Sequence, residues 1–219
     1  MARIVIFGAG DIARLAHFYF STDSQHEVVA FAVDAGYRTA DTFLDLPLLT
    51  LDAVPAAYPP AEYKMFVAVS YTEVNQLRAA KYAQVKALGY DLVSYVSSRC
   101  TYLATDPPGD NCFILEDNTV QPFVRIGANV TLWSGNHIGH DATIGDHCFI
   151  SSHVVISGHV TIEQGCFLGV NATLRNGITI GEYSIVGAGA LIMKSTRPRT
   201  VHLGQRAERL PKSSDDVEL

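Results

Sequence analysis

The 219-residue chain has few charges, no block of like charge and no closely spaced cysteine pair. Charged residues make up 17%, with 16 Lys and Arg against 22 Asp and Glu, for a net charge of -6. Neutralising a phosphate backbone takes clustered basic side chains, so this balance argues against a nucleic-acid partner. No apolar run reaches the roughly 18 residues needed to cross a bilayer, which argues against a membrane span. A strand pattern starting at Ala2 leaves no room for a secretory leader, so the expected location is cytoplasmic. Cys100, Cys112, Cys148 and Cys166 lack the CxxC spacing of zinc or redox sites and read as buried thiols. Apolar residues reach 48%, which excludes a disordered chain and provides for a core.

Two unlike patterns fill the chain. Up to about residue 105, strand-like and helix-like segments alternate. Ile4 to Phe7 reads as a strand ending at Gly8-Ala9-Gly10, and Asp11 to Ala16 has helical spacing. Val28 to Val33 and Met65 to Val69 read as further strands, Thr72 to Leu88 as a helix, and Asp91 to Val96 as a fourth strand. Such alternation predicts an open, mostly parallel α/β sheet, a small Rossmann-like domain. Gly8-x-Gly10-x-x-Ala13 after a strand fits a turn in which bare backbone N–H groups at a helix start, Asp11, approach a phosphate. The competing reading is a tight turn that glycine makes easy. Asp34 closes the second strand, where such folds set a carboxylate against a ribose. Tyr71 and Thr72 end the third strand, at the carboxyl edge where these sheets bind ligands. Because about 100 residues is half of a dinucleotide fold, the expected ligand is a nucleotide or nucleotide sugar. Asp106-Pro107-Pro108-Gly109-Asp110 cannot continue a helix or a central strand and marks a linker, taken as 106–113.

From Ile114, every sixth residue through Ile192 is aliphatic, fourteen in succession. Four positions after each comes mostly a small residue, such as Ala142, Cys148, Val154, Cys166 or Ser184. This period belongs neither to an amphipathic helix nor to a plain strand. It predicts a prism of parallel strands over 114–200, three hexapeptides per 18-residue coil, followed by a tail over 201–219. Periodicity leaves the handedness open. Residues 18 apart stack at the strand spacing of about 4.8 Å, so Gly158 lies over His140 and His159 over Asp141. The gap above His140 would let a ligand meet an imidazole and bare backbone together. Five of the eight histidines, His137, His140, His147, His153 and His159, fall in this stretch but occupy different repeat phases. That argues against a converging zinc site.

The run Asn136-His137-Ile138-Gly139-His140-Asp141-Ala142-Thr143-Ile144-Gly145-Asp146, with Cys166 to Asn171 and Ile185 to Ala190, resembles the left-handed β-helix hexapeptide acyltransferases. With the Gly8-Ala9-Gly10 domain, nearly the whole chain is similar to the branch of sialic acid O-acetyltransferases and nucleotide-amino-sugar N-acetyltransferases. The resemblance implies an acyltransferase of surface polysaccharide or glycan synthesis, with acetyl-CoA or another acyl-CoA as co-substrate and no tightly bound cofactor or metal. It further implies a homotrimer with CoA between neighbouring β-helices and a nucleotide-linked sugar on the N-terminal domain. By position, His140 matches the general base, Asp141 its acidic neighbour and Gly158 the backbone that meets the thioester. Phe149 stands where one family pattern has a further histidine at the acceptor or thioester contacts, and is a candidate for the CoA site with Gly158, Lys194 and Arg197; Arg206 stands where proline is usual. Lys194, Arg197 and Arg199 follow the last coil as candidates for CoA phosphates or as a solvated basic exit from the solenoid, and Trp133 is a candidate for the acceptor site or a subunit interface. Rival readings are an O-acetyltransferase, a non-catalytic trimeric scaffold that senses a nucleotide sugar, and a zinc lyase resembling gamma-type carbonic anhydrases. The last family's paired histidines five residues apart have no counterpart here.

Overall fold

The computed structural model describes residues 1–209, 211 and 213–216. A five-stranded sheet opens the chain. Strands β1 (Arg3–Phe7), β2 (Glu27–Val33), β3 (Thr42–Phe43), β4 (Leu46–Thr50) and β5 (Tyr63–Val67) lie in the order β3-β4-β2-β1-β5. All pairings are parallel except β3 with β4. Helices α1 (Asp11–Thr22), α2 (Val54–Ala57) and α3 (Gln76–Ala87) complete this unit. Its strands read as near-continuous apolar runs because both sheet faces are covered. Ile4, Ile6, Phe20, Phe31 and Phe66 pack on one side, and Val5, Ala30, Met65, Val67 and Val85 on the other.

Two expectations from the sequence change here. The helix expected from Thr72 starts at Gln76, because Glu73, Val74 and Asn75 take positive φ of 54°, 51° and 67°, which no α-helix accommodates. The expected fourth strand over Asp91–Val96 is not a strand of this sheet. Leu92 makes an isolated bridge to Met65, and Tyr95–Val96 pairs instead with Phe113–Ile114.

The β-helix therefore begins before the Pro107-Pro108 segment, and its first coil contains the expected linker as an excursion. Seventeen two-residue strands form three parallel sheets of four, seven and six strands. Register follows the 18-residue step throughout, as in Phe149 with Phe167 and His137 with Val155. Val201–His202, placed in the tail by the repeat count, adds a last strand to the seven-stranded sheet. All fourteen aliphatic positions are buried, the least covered at 7%. Cys112, Cys148 and Cys166 share that interior as free thiols. Where the small inward residue is replaced by Asn118 and Asn136, a ladder forms. Asn118 Oδ1 accepts from the Asn136 N–H at 3.1 Å, and Asn136 Oδ1 from the Val154 N–H at 2.8 Å.

Every corner between Asn111 and Gly189 holds a left-handed residue at a six-residue interval. Asn111, Asp117, Asn129, Gly135, Asp141, His147, His153, His159 and Gly165 belong to this series. Asn, Asp and His tolerate that conformation better than most side chains, which accounts for three of the five clustered histidines, His147, His153 and His159; Phe123 and Tyr183 take the same conformation at two other corners.

The two units share one core. Tyr95, Phe113 and Leu115 pack with Phe20 and Phe66. From α3 the buried Arg78 guanidinium donates to the carbonyls of His147 (2.7 Å) and Cys148 (3.1 Å), and Asn75 Nδ2 to those of Gly165 (3.0 Å) and Cys166 (3.1 Å). Asn111 brackets the end of β5, accepting from the Val67 N–H at 2.7 Å and donating to the Val67 carbonyl at 3.2 Å. No helix of the described residues is long and apolar enough to cross a membrane.

A carboxylate at this junction gives a pH test. Asp23 accepts from Tyr95 Oη (2.6 Å) and the Ser98 N–H (2.9 Å), and these bonds hold its carboxyl at about 2, below the ordinary 3.8. A depressed folded-state pKa contributes stability above pH 4 that is lost as pH falls through 4 toward 2. Tyr95→Phe should shrink that acid-side loss, read as a flatter dependence of the unfolding midpoint on pH between 4 and 2.

Candidate functional site

His140 and Asp141 follow the strand His137–Ile138, at a corner of the prism. Asp141 takes the left-handed corner conformation, φ 58°, which directs its carboxylate beside the preceding imidazole. Asp141 Oδ2 lies 2.8 Å from His140 Nδ1, so a hydrogen bond there fixes the ring and leaves Nε2 free to take a proton. One coil further on, the His159 N–H donates to the His140 carbonyl at 2.9 Å, fixing the stack of the two corners. His159 places its ring edge-on to His140, centroids 4.9 Å apart, with Nε2 4.0 Å from Asp141 Oδ2. Ligand atoms of these three exposed side chains lie within 4.8 Å of one another. The repeat phases of the histidines did not reveal this grouping, because a corner residue and the residue before it sit side by side across one coil step.

Gly158, one coil further on, faces the imidazole. A Cβ there would stand 2.8 Å from His140 Nε2 and 3.1 Å from Asn176 Oδ1, so only a hydrogen leaves the ring in place. The Gly158 N–H has no backbone acceptor among the described residues, while the carbonyl accepts from Gly177 at 3.0 Å.

In the α/β unit, the two glycines of the turn have different reasons for being glycine. Gly8 has φ 130°, and a Cβ would strike the Ala68 carbonyl oxygen at 2.6 Å, so the fold itself requires it. Gly10 has open space around the same position and an ordinary φ of -108°. It caps α1 without a side-chain bond, so the first N–H groups of the helix stay available to an anion. Asp11, in that first turn, is exposed and pairs with Arg14 at 3.3 Å.

Three pockets follow one another across the molecule, each sharing a lining residue with the next. The first, about 470 Å³, is lined by Gly8, Gly10, Asp34, Tyr37, Leu77 and Lys81 among others. The second shares Gly10 and runs past Asp11, Ser70 and Tyr71. The third, about 420 Å³, shares Tyr71 and is walled by Trp133, Phe149, Phe167, Ser151 and Ser152. Tyr71 spans the junction, its ring 5.0 Å from Phe149 and 4.8 Å from Phe167. Thr72 is exposed beside it, with Oγ1 3.4 Å from Ser70 Oγ. Phe149 is buried under Tyr71, on the seven-stranded face. Lys194 and Arg197, the other candidates for the CoA site, are exposed after the last strand of the six-stranded face, so the structure does not bring Phe149 together with them. Lys81, the Arg78–Asn75 clamp and the aromatic chamber were missed by sequence reasoning. Lys81 lies on α3, one turn after Arg78 and Leu77, a spacing that reads as an ordinary helix surface.

Gly158→Ala is expected to push the His140 ring off Asp141 at a cost of only about 1 kcal/mol, since the ring is the free end of an exposed side chain. The imidazole proton resonances of His140 should shift while the melting curve barely moves.

Residues 124–158 match the family model described as bacterial transferase hexapeptide (six repeats), and 159–194 the hexapeptide repeat of succinyl-transferase. PerB from Caulobacter crescentus, solved in complex with CoA and GDP-perosamine, is 22% identical with a TM-score of 0.78 over 93% of this chain and 95% of that one. The acetyltransferase domain of PglB from Neisseria gonorrhoeae is 19% identical with a TM-score of 0.81, over 96% and 100%. A 2,3,4,5-tetrahydropyridine-2,6-dicarboxylate N-succinyltransferase of Xylella fastidiosa is 27% identical over 124 residues, 50% of this chain and 44% of its own length. The chain spans about half or less of the length of the curated relatives it matches. The hexapeptide models cover residues 124–194, and over both units the chain has the fold of PerB and of the PglB acetyltransferase domain, a left-handed β-helix following a small α/β unit.

Proposed function

We propose that this protein is an acyl-CoA-dependent N-acyltransferase acting on a nucleotide-linked amino sugar. The observation that carries the reading is the His140–Asp141 pair, with Nδ1 held at 2.8 Å and Nε2 poised over the bare backbone of Gly158. The sugar amine attacks the thioester carbonyl and forms the C–N bond. His140 Nε2 takes the proton that the nitrogen sheds, and Asp141 stabilises the imidazolium. The Gly158 N–H, without a backbone acceptor of its own, receives the oxyanion. The C–S bond then breaks, and the departing thiolate recovers the proton from His140.

The acceptor lies along the three joined pockets. Its diphosphate meets Gly10 at the start of α1, the nucleoside enters the pocket beside Asp34, and the sugar passes Tyr71 into the aromatic chamber on the seven-stranded face. His140 stands at the corner between the six- and four-stranded faces, so the sugar amine meets His140 of the partner subunit in a homotrimer with active sites between subunits. CoA supplies the acyl group, and Lys194 and Arg197, both exposed, meet its phosphates. Exposed apolar side chains on the β-helix, Val155, Val170, Leu191 and Met193, supply the surface for a homotrimer. Both co-substrates belong to the cytoplasm, and that is the proposed location. PerB, which shares the fold, was solved with CoA and an amino-sugar nucleotide, which favours an amine over a hydroxyl acceptor.

Thiol release from acetyl-CoA, with mass detection of the acylated product, tests the reaction across UDP-, dTDP- and GDP-linked amino sugars. His140→Ala should lower kcat by about 10² to 10⁴ with an unchanged melting temperature, because the aliphatic ladder holds the fold. A variant with full turnover would remove His140 from its role. Nucleotide-sugar binding without CoA binding would instead support a sensing scaffold.

A further inference from the structure

The nucleoside end of the trough carries a charge pair, Lys81 with Asp34. Lys81 Nζ lies 2.7 Å from Asp34 Oδ1 and 3.0 Å from Gln84 Oε1, and sits 5.6 Å above the Phe7 ring. Its side chain is 17% exposed, so the pair is held at the wall of the pocket rather than in bulk water. With Oδ1 engaged, Asp34 keeps Oδ2, which makes no hydrogen bond among the described residues. Resting on the reading of this trough as a nucleotide-sugar site, we propose that Lys81 is a positioning residue. It holds the Asp34 carboxylate so that Oδ2 accepts from the ribose 2′-hydroxyl, making the site selective for ribonucleotide-linked over 2′-deoxyribonucleotide-linked acceptors.

Three observations favour the ribose over the other parts of a nucleotide. First, β1 and β2 are in register at Phe7 and Ala32, and the Gly8 N–H donates to the Ala32 carbonyl at 2.7 Å. Asp34, two residues on, therefore lies about one strand spacing, ~4.8 Å, to the side of the glycine turn. That is the offset of a sugar from the phosphate it carries. Second, a carboxylate repels phosphate, and the ammonium that might offset this is already shared between Asp34 and Gln84. Third, Tyr37 follows Asp34 on the short helical turn Ala35–Tyr37 and lines the same pocket with 75% of its surface exposed. Its ring offers the base a stacking face beyond the carboxylate, and stacking tolerates any base. Phosphate, ribose and base thus have separate partners in Gly10, Asp34 and Tyr37, and only the ribose meets a charged acceptor.

Hydroxyl recognition by a charged group costs heavily when the hydroxyl is missing, because the acceptor is left desolvated and unpaired. Calorimetric titration of the full chain with GDP against 2′-deoxy-GDP, and with UDP against 2′-deoxy-UDP, reads the preference directly. Wild type should bind the ribose form about ten- to a hundredfold more tightly. Lys81→Met should bring that ratio close to one, Lys81→Arg should restore part of it, and Asp34→Asn should lower it. CoA affinity and the melting temperature report on folding in each variant. Equal binding of ribose and deoxyribose forms by wild type, or a ratio that survives Lys81→Met, overturns the proposal and leaves the nucleotide-sugar reading standing. Tighter nucleotide binding in Lys81→Met also overturns it, since Lys81 would then compete for Asp34 instead of presenting it. Failure of every diphosphate to bind while CoA still binds would overturn the nucleotide-sugar reading itself, and this proposal with it.

Discussion

Along the β-helix, strand hydrogen bonds pass to a neighbour one 18-residue coil away, and corner N–H groups reach one residue further back. This register decides which side chains can meet. It sets Gly158 over His140 and His159 beside Asp141, though each pair is separated by 18 residues of chain. Each corner also holds a residue in the left-handed region, so the position after His140 favours types that tolerate it. Aspartate satisfies the corner and supplies a carboxylate to the imidazole. One residue thus serves the backbone and the site together.

A scaffold of this kind is stiff by construction. Each coil contacts only its neighbours, but every coil buries its aliphatic positions almost completely. An exposed dyad on such a wall loses little to side-chain wandering, because the corner beneath it is pinned by the bond from the His159 N–H to the His140 carbonyl. The small α/β unit is fixed to the same wall by a different device. Arg78 and Asn75 donate to carbonyls at the corners of the β-helix, and Arg78 does so without any carboxylate partner among the described residues and with its Nε left unpartnered. Burying a guanidinium is costly unless its hydrogen bonds are made, so the docking of the two units is sharply defined by where those carbonyls lie. The aromatic chamber exists only because of that docking. Tyr71 comes from the end of the α/β sheet, and Phe149, Phe167 and Trp133 from the β-helix.

The contrast between Gly8 and Gly10 shows how far a motif can be taken. In sequence both belong to one glycine-rich turn, and a ligand turn and a tight turn read alike. In space Gly8 is demanded by positive φ and by the Ala68 carbonyl, whereas nothing in the fold forbids a side chain at Gly10. One glycine is thus required by the chain, and the other leaves room at the helix start.

The sequence by itself determined the β-helix, its coil length, its aliphatic interior and the stacking of Gly158 on His140, because a strict six-residue period maps directly onto space. It also determined the α/β character of the first hundred residues through alternating patterns, and the turn at Gly8 to Gly10. It did not determine where one unit ended. Tyr95–Val96 reads as a strand in either setting, and only pairing with Phe113–Ile114 assigns it to the β-helix. Nor did it reveal Lys81 beside Asp34, 47 positions away, or the chamber under Tyr71. Local periodicity encodes which residues face inward; contacts between elements far apart in the chain depend on how the two units dock, and that is decided by tertiary packing and by the buried Arg78 and Asn75 hydrogen bonds.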